Sequence, residues 1–77
     1  MLNPQWLKSF ATLAELGSFT DSAERLGITQ AAVSQHIRHI ELQLGPVILR
    51  SKRPLELTPT GSALLENCQQ IDRVHHH

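Results

Sequence analysis

The sequence predicts a mainly α-helical fold: a three-helix core, a small β-hairpin after the third helix, and a fourth helix beyond it. Three observations carry this. From Gly17 to Gly45, GSFTDSAERLGITQAAVSQHIRHIELQLG reads as a short helix, a turn at Gly27, and a longer helix that is apolar on one side and polar on the other. Val47-Ile48-Leu49 and Leu55-Glu56-Leu57 flank a charged turn, the pattern of a short hairpin. Asn3-Pro4 and Thr58-Pro59 each place a capping side chain before a proline, which is how helices begin. Two short helices around a turn, with a hairpin after the second, make a winged helix-turn-helix, an arrangement that lays its second helix against DNA.

The elements follow in order. Trp6, Leu7, Phe10, Leu13, Ala14 and Leu16 recur at spacings of three and four, giving the first helix one apolar stripe, and Gly17 stops it. The second helix is expected at about Asp21 to Leu26, with Ser18 and Thr20 as alternative caps, Ala23 and Leu26 facing the core, and Phe19 filling the gap behind it. Thr29 caps the third helix, which runs to about Leu44. Val33, Ile37, Ile40 and Leu44 form its core stripe. Gly45-Pro46 ends it, with a left-handed cap and then a ring that cannot continue a helix. Arg50 to Pro54 is the hairpin turn, and a two-stranded hairpin this short must lean on the helices. In the last helix Leu64, Leu65, Cys68 and Ile71 make the apolar side.

Seventy-seven residues allow one domain, and one so small is marginal enough that a partner subunit is expected. The only aromatics are Trp6, Phe10 and Phe19, which suit a core better than a base-stacking platform and so argue against single-strand binding. A lone cysteine, Cys68, forms no internal disulfide, and without a signal-peptide pattern a cytoplasmic setting is expected. No apolar run is long enough to span a membrane. Residues 75–77 read as a purification tag, and the helical pattern running to the end suggests a piece of a longer chain.

The formal net charge is zero, which is unusual for a DNA binder, but its distribution is uneven. From Thr29 to Arg53 the basic residues Arg38, Arg50, Lys52 and Arg53 face Glu41 alone. Charge acts over only about 10 Å at ordinary salt, so a local basic face outweighs the total.

Opposite the core stripe of the third helix lie Gln30, Ala31, Ser34, Gln35 and Arg38. In a major groove, Gln30 and Gln35 suit adenine N6 and N7, Ser34 can donate or accept, Ala31 can meet a thymine methyl, and Arg38 reaches a guanine edge or a phosphate. Arg50, Lys52 and Arg53 of the hairpin turn suit the flanking minor groove, where a narrow A/T-rich stretch attracts arginine. Thr20, Ser22 and Thr29 lie near helix starts, where a phosphate is favoured. His36 and His39 lack further ligands at metal spacing and read as surface or packing residues; no metal site is expected. No nucleophile-and-base set, phosphate loop or carboxylate pair suggests an enzyme, so no catalytic residue is assigned.

GSFT at Gly17–Thr20, SAERLGITQAAVSQHIRHIE at Ser22–Glu41, Leu44-Gly45 and LTPTG at Leu57–Gly61 together resemble the N-terminal DNA-binding domain of the LysR-type transcriptional regulators. The resemblance covers about residues 3–72. It implies a winged helix-turn-helix domain at 2–59, with the helix-turn-helix at about 19–38, and the start of a linker and dimerisation helix at 59–73. It implies Gln30, Ala31, Ser34, Gln35 and Arg38 in the major groove of double-stranded promoter DNA and Arg53 near the minor groove. The operator would be an interrupted palindrome. It further implies a homodimer through the fourth helix, a tetramer at full length, and a C-terminal domain binding a small-molecule co-inducer, with no cofactor in the present segment. Two departures stand out. Many members carry arginine where this chain has Gln35, and Gly45–Arg50 is about one residue shorter than the common G-x-x-L-F-x-R pattern. The competing expectation is a winged-helix module for protein–protein contact, which the neutral charge favours.

Overall fold

The computed structural model describes the backbone of residues 2–75 and the side chains of residues 2–68. The chain runs α1 (Pro4–Leu16), α2 (Phe19–Leu26), α3 (Gln30–Leu44), β1 (Ile48–Leu49), β2 (Glu56–Leu57) and α4 (Pro59–His75). This is the winged helix-turn-helix that the sequence predicts.

Each helix start has a side chain to occupy a backbone N–H that has no partner inside the helix. Asn3 Oδ1 accepts from Gln5 N at 2.7 Å, and Thr29 Oγ1 accepts from Ala32 N at 3.0 Å. Thr58 Oγ1 accepts from Gly61 N at 3.0 Å and also donates to the Pro46 carbonyl at 2.7 Å, tying the start of α4 to the chain leaving α3. Between Ser18 and Thr20, Ser18 is the cap: its Oγ accepts from Asp21 N at 3.1 Å. Thus α2 begins two residues earlier than its apolar spacing suggests. Phe19 is its first residue, and Thr20 lies exposed in its first turn.

Gly17 and Gly27 end α1 and α2 with left-handed caps. Gly45 differs from expectation. Its φ of 88° needs glycine, but its ψ of −176° is extended, so the chain leaves α3 straight toward the wing. Ile48 pairs with Leu57 and Leu49 with Glu56, antiparallel.

The core takes Phe10 and Leu13 from α1, Ala23 from α2, Val33, Ile37 and Ile40 from α3, Val47 and Ile48 from the wing, and Leu64 from α4. Leu44, the last member of the expected α3 stripe, is 43% exposed. It lies at the rim because Val47 and Ile48 fold back and fill that end of the core. Both histidines of α3 pack toward α1. His36 Nδ1 and the buried Ser9 Oγ are hydrogen-bonded at 2.6 Å, and His39 stacks on Trp6 with ring centres 4.6 Å apart. The wing returns to α1 as well, since Leu55 N donates to the carbonyl of the cap residue Gly17 at 3.0 Å.

Candidate nucleic-acid interface

The interface is built on α3. Val33, Ile37 and Ile40 are fully buried, which fixes the rotation of the helix and turns the opposite side outward. Gln30, Ala31, Ser34, Gln35 and Arg38 all lie on that exposed side. Gln30, Ala31 and Ser34 line a concave notch whose other walls are the Phe19 ring of α2 and Arg50 of the wing. Gln35 and Arg38 continue the exposed face beyond the notch.

Of the residues expected near phosphates, Thr20 and Thr29 are exposed at the starts of α2 and α3. Ser22 is not available. It is fully buried, because it lies on the side of α2 that packs into the core beside Ala23, and its hydroxyl has no hydrogen-bond partner among the described residues.

Arg50, Lys52 and Arg53 are exposed, but two of the three have defined partners. Arg50 forks onto Glu41 of α3, with Nη2 at 3.1 Å from Oε1 and Nη1 at 3.3 Å from Oε2. Glu41 Oε2 also accepts from the Val47 N–H at 2.9 Å. Arg53 Nη1 donates to the carbonyls of Arg50 and Lys52 at 2.6 and 2.7 Å. Burial pushes the Glu41 carboxyl up. The hydrogen bonds from Arg50 and Val47, the Arg50 charge and the Ile48 N–H outweigh it and hold the group below its ordinary value of 4.5. Phe19 and Glu41 are the two residues of this region to which sequence spacing gives no interface role. The signal for Glu41 was its being the lone acid among the basic residues between Thr29 and Arg53.

The apolar side of α4 serves the chain's own core first. Leu64 is 9% exposed and belongs to the core, while Leu65 and Cys68 pack half-buried against it. Leu64 is therefore withdrawn from the expected contact with a second subunit. Ile71 lies outside the described side chains. Among the described residues no group of three His, Cys, Asp or Glu side chains is arranged to hold a metal ion, and no helix is long and apolar enough to cross a membrane.

A family model described as "Bacterial regulatory helix-turn-helix protein, lysR family" matches residues 4–62. The HTH-type transcriptional regulator LysG of Mycobacterium tuberculosis is 40% identical over 74 residues, 91% of this chain and 24% of LysG. Vibrio fischeri DarR, solved in complex with DNA, superposes with a TM-score of 0.88 at 30% identity, over 99% of this chain and 26% of DarR. The DNA-binding domain of BenM, solved on benA site 1 DNA, superposes with a TM-score of 0.84 at 30% identity, over 94% of this chain and 86% of that one. The chain spans less than half the length of the curated relatives it matches.

Proposed function

Because the chain belongs to the lysR family of bacterial regulatory helix-turn-helix proteins, we propose that it is the sequence-specific DNA-binding domain of a transcriptional regulator. One observation carries the reading: five residues able to read or approach base edges stand exposed on the helix whose other side is sealed in the core. In this reading α3 enters the major groove. Gln30, Ala31, Ser34, Gln35 and Arg38 address the bases, and Thr20 and Thr29 lie against phosphates at the groove edge. Arg50, Lys52 and Arg53 hold the wing beside the duplex. The domain occupies residues 2–59 and α4 begins the linker from residue 59. The chain acts by binding in the cytoplasm and catalyses nothing.

Two copies, paired through α4, would place their α3 helices in successive major grooves. The site is then an interrupted palindrome with half-site centres about one turn, ~34 Å, apart. Tetramer formation and a small-molecule co-inducer belong, in this reading, to the remainder of the regulator.

The test is selection of duplexes by this chain from a random library, followed by fluorescence anisotropy against the selected and a scrambled duplex at two salt concentrations. A preference that survives the higher salt supports base readout. Equal binding that vanishes with salt leaves only phosphate attraction. A chain that selects no duplex favours a protein-contact module, the role that zero net charge favours.

A further inference from the structure

Arg50 and Arg53 belong to one short turn, yet the fold uses them in opposite ways. Arg53 bends back onto the carbonyls of Arg50 and Lys52 and stitches its own loop together. Arg50 reaches across to α3 and forks onto Glu41. That carboxylate is itself fixed, with 18% of its side chain exposed and the Val47 N–H bonded to it. Half of the Arg50 side chain, 51%, remains exposed, and it lines the same notch as Gln30, Ala31 and Ser34. A guanidinium carries five N–H donors, and a fork onto one carboxylate uses two of them. The remaining donors stay available at the mouth of the notch.

Resting on the DNA-binding reading above, we infer that Arg50 is a contact to the DNA backbone aimed by Glu41, the pair acting as one neutral, oriented donor set beside α3. Glu41 is the positioning residue and a phosphate oxygen next to the bases facing the notch is the ligand. The neutrality of the pair gives it a distinct behaviour. A free lysine or arginine that meets a phosphate displaces about one counterion, so each such contact steepens the salt dependence of binding by ~0.9. An arginine already balanced by a carboxylate brings no net charge to the duplex. It fixes the register of the protein on DNA with little salt dependence. Lys52, whose ammonium meets no carboxylate among the described residues, is the natural contrast.

The experiment uses the 77-residue chain, the duplex it selects and a scrambled duplex, in anisotropy titrations across a salt series. Thermal melts identify variants that fold. Arg50→Lys, which keeps the charge without the fork, and the double variant Arg50→Ala with Glu41→Gln, which removes the balanced pair whole, should each weaken binding to the selected duplex about tenfold while leaving the salt slope unchanged. Lys52→Ala should instead lower the slope by about 0.9. Glu41→Gln keeps an oxygen for Val47 but unbalances Arg50. It should raise the slope by about 0.9, tighten binding to the scrambled duplex and narrow the gap between the two.

Three results overturn the inference. The double variant could lower the slope as Lys52→Ala does, with equal loss on both duplexes, which marks a free phosphate charge. Folded Arg50 variants could bind as the parent does, which marks a brace of the wing. Glu41→Gln could keep its full discrimination. If the double variant does not fold, Arg50→Lys and Glu41→Gln decide. A parent chain that selects no duplex removes the DNA-binding reading and this inference with it, whereas a selective parent with indifferent Arg50 variants removes this inference alone.

Discussion

Ser22 is a polar side chain sealed in the core of a small domain, with its hydroxyl unpaired among the described residues. Such a group costs about 1–3 kcal/mol. Ser22→Ala should therefore raise stability by about 1 kcal/mol in a thermal melt and leave DNA affinity untouched. Weaker binding would return Ser22 to the phosphate contacts. Sequence spacing could not place it, because a small polar residue early in a short helix suits a cap, a phosphate or a packed interface equally. Gly61 makes a sharper case. Inside an ordinary helix Gly→Ala gains about 1 kcal/mol. Here an added Cβ would run into the carbonyl of Val47, where α4 crosses the exit of α3. Gly61→Ala is thus expected to destabilise, by about 1–3 kcal/mol, and the sign of the change in melting temperature decides it.

Between elements, the joint that matters most is the one from α3 to the wing through Glu41. Its carboxyl titrates lower in the folded chain than its ordinary value of 4.5. The stability it contributes is fully present above that value and is lost as pH falls through the lowered folded value. Acid titrations followed by circular dichroism should show the parent losing stability below about pH 4.5, with Glu41→Gln losing less over the same interval. Equal acid sensitivity would mean that other carboxylates dominate. Beyond Glu41 standing as the lone acid among basic residues, this joint was not legible in the sequence: Glu41, Val47 and Arg50 meet across a helix end and a bend that only the extended ψ of Gly45 defines. The starts of α1, α3 and α4 were legible, because Asn3, Thr29 and Thr58 cap within three residues of themselves and need no tertiary information. The start of α2 was half legible, since Ser18 and Thr20 are both competent caps and the apolar spacing could not choose between them. Of the candidate interface, the exposed face of α3 was legible because burial of Val33, Ile37 and Ile40 dictates it. The notch was not, since Phe19 and Arg50 reach it from other elements.

In the molecule as a whole, α1 is the platform, with α2, α3 and α4 packed on it and the wing tied to its cap glycine. Phe10, fully buried at the centre of that platform, should be indispensable. Removal of a buried Phe side chain costs about 3–5 kcal/mol against a total stability of about 5–15 kcal/mol, and a domain this small sits at the low end. Phe10→Ala should therefore give a largely unfolded chain at body temperature by circular dichroism. The use of Leu64 inside the core leaves α4 less apolar surface for a second copy than its sequence suggests. Sedimentation should accordingly find a weak, concentration-dependent dimer, and a duplex with two half-sites should shift the stoichiometry toward two chains per duplex by mass action. A tight dimer without DNA would contradict this.

The stack of Trp6 on His39 has an optical consequence. Trp6 is the sole tryptophan of the chain, and the ring it lies against belongs to α3. Its emission is thus a built-in reporter on the seating of α3, without any label. If α3 enters the groove as a rigid part of the core, the wavelength of that emission stays constant through a DNA titration. If α3 slides along α1 as it docks, the ring partner changes and the colour of the protein's own fluorescence moves with it.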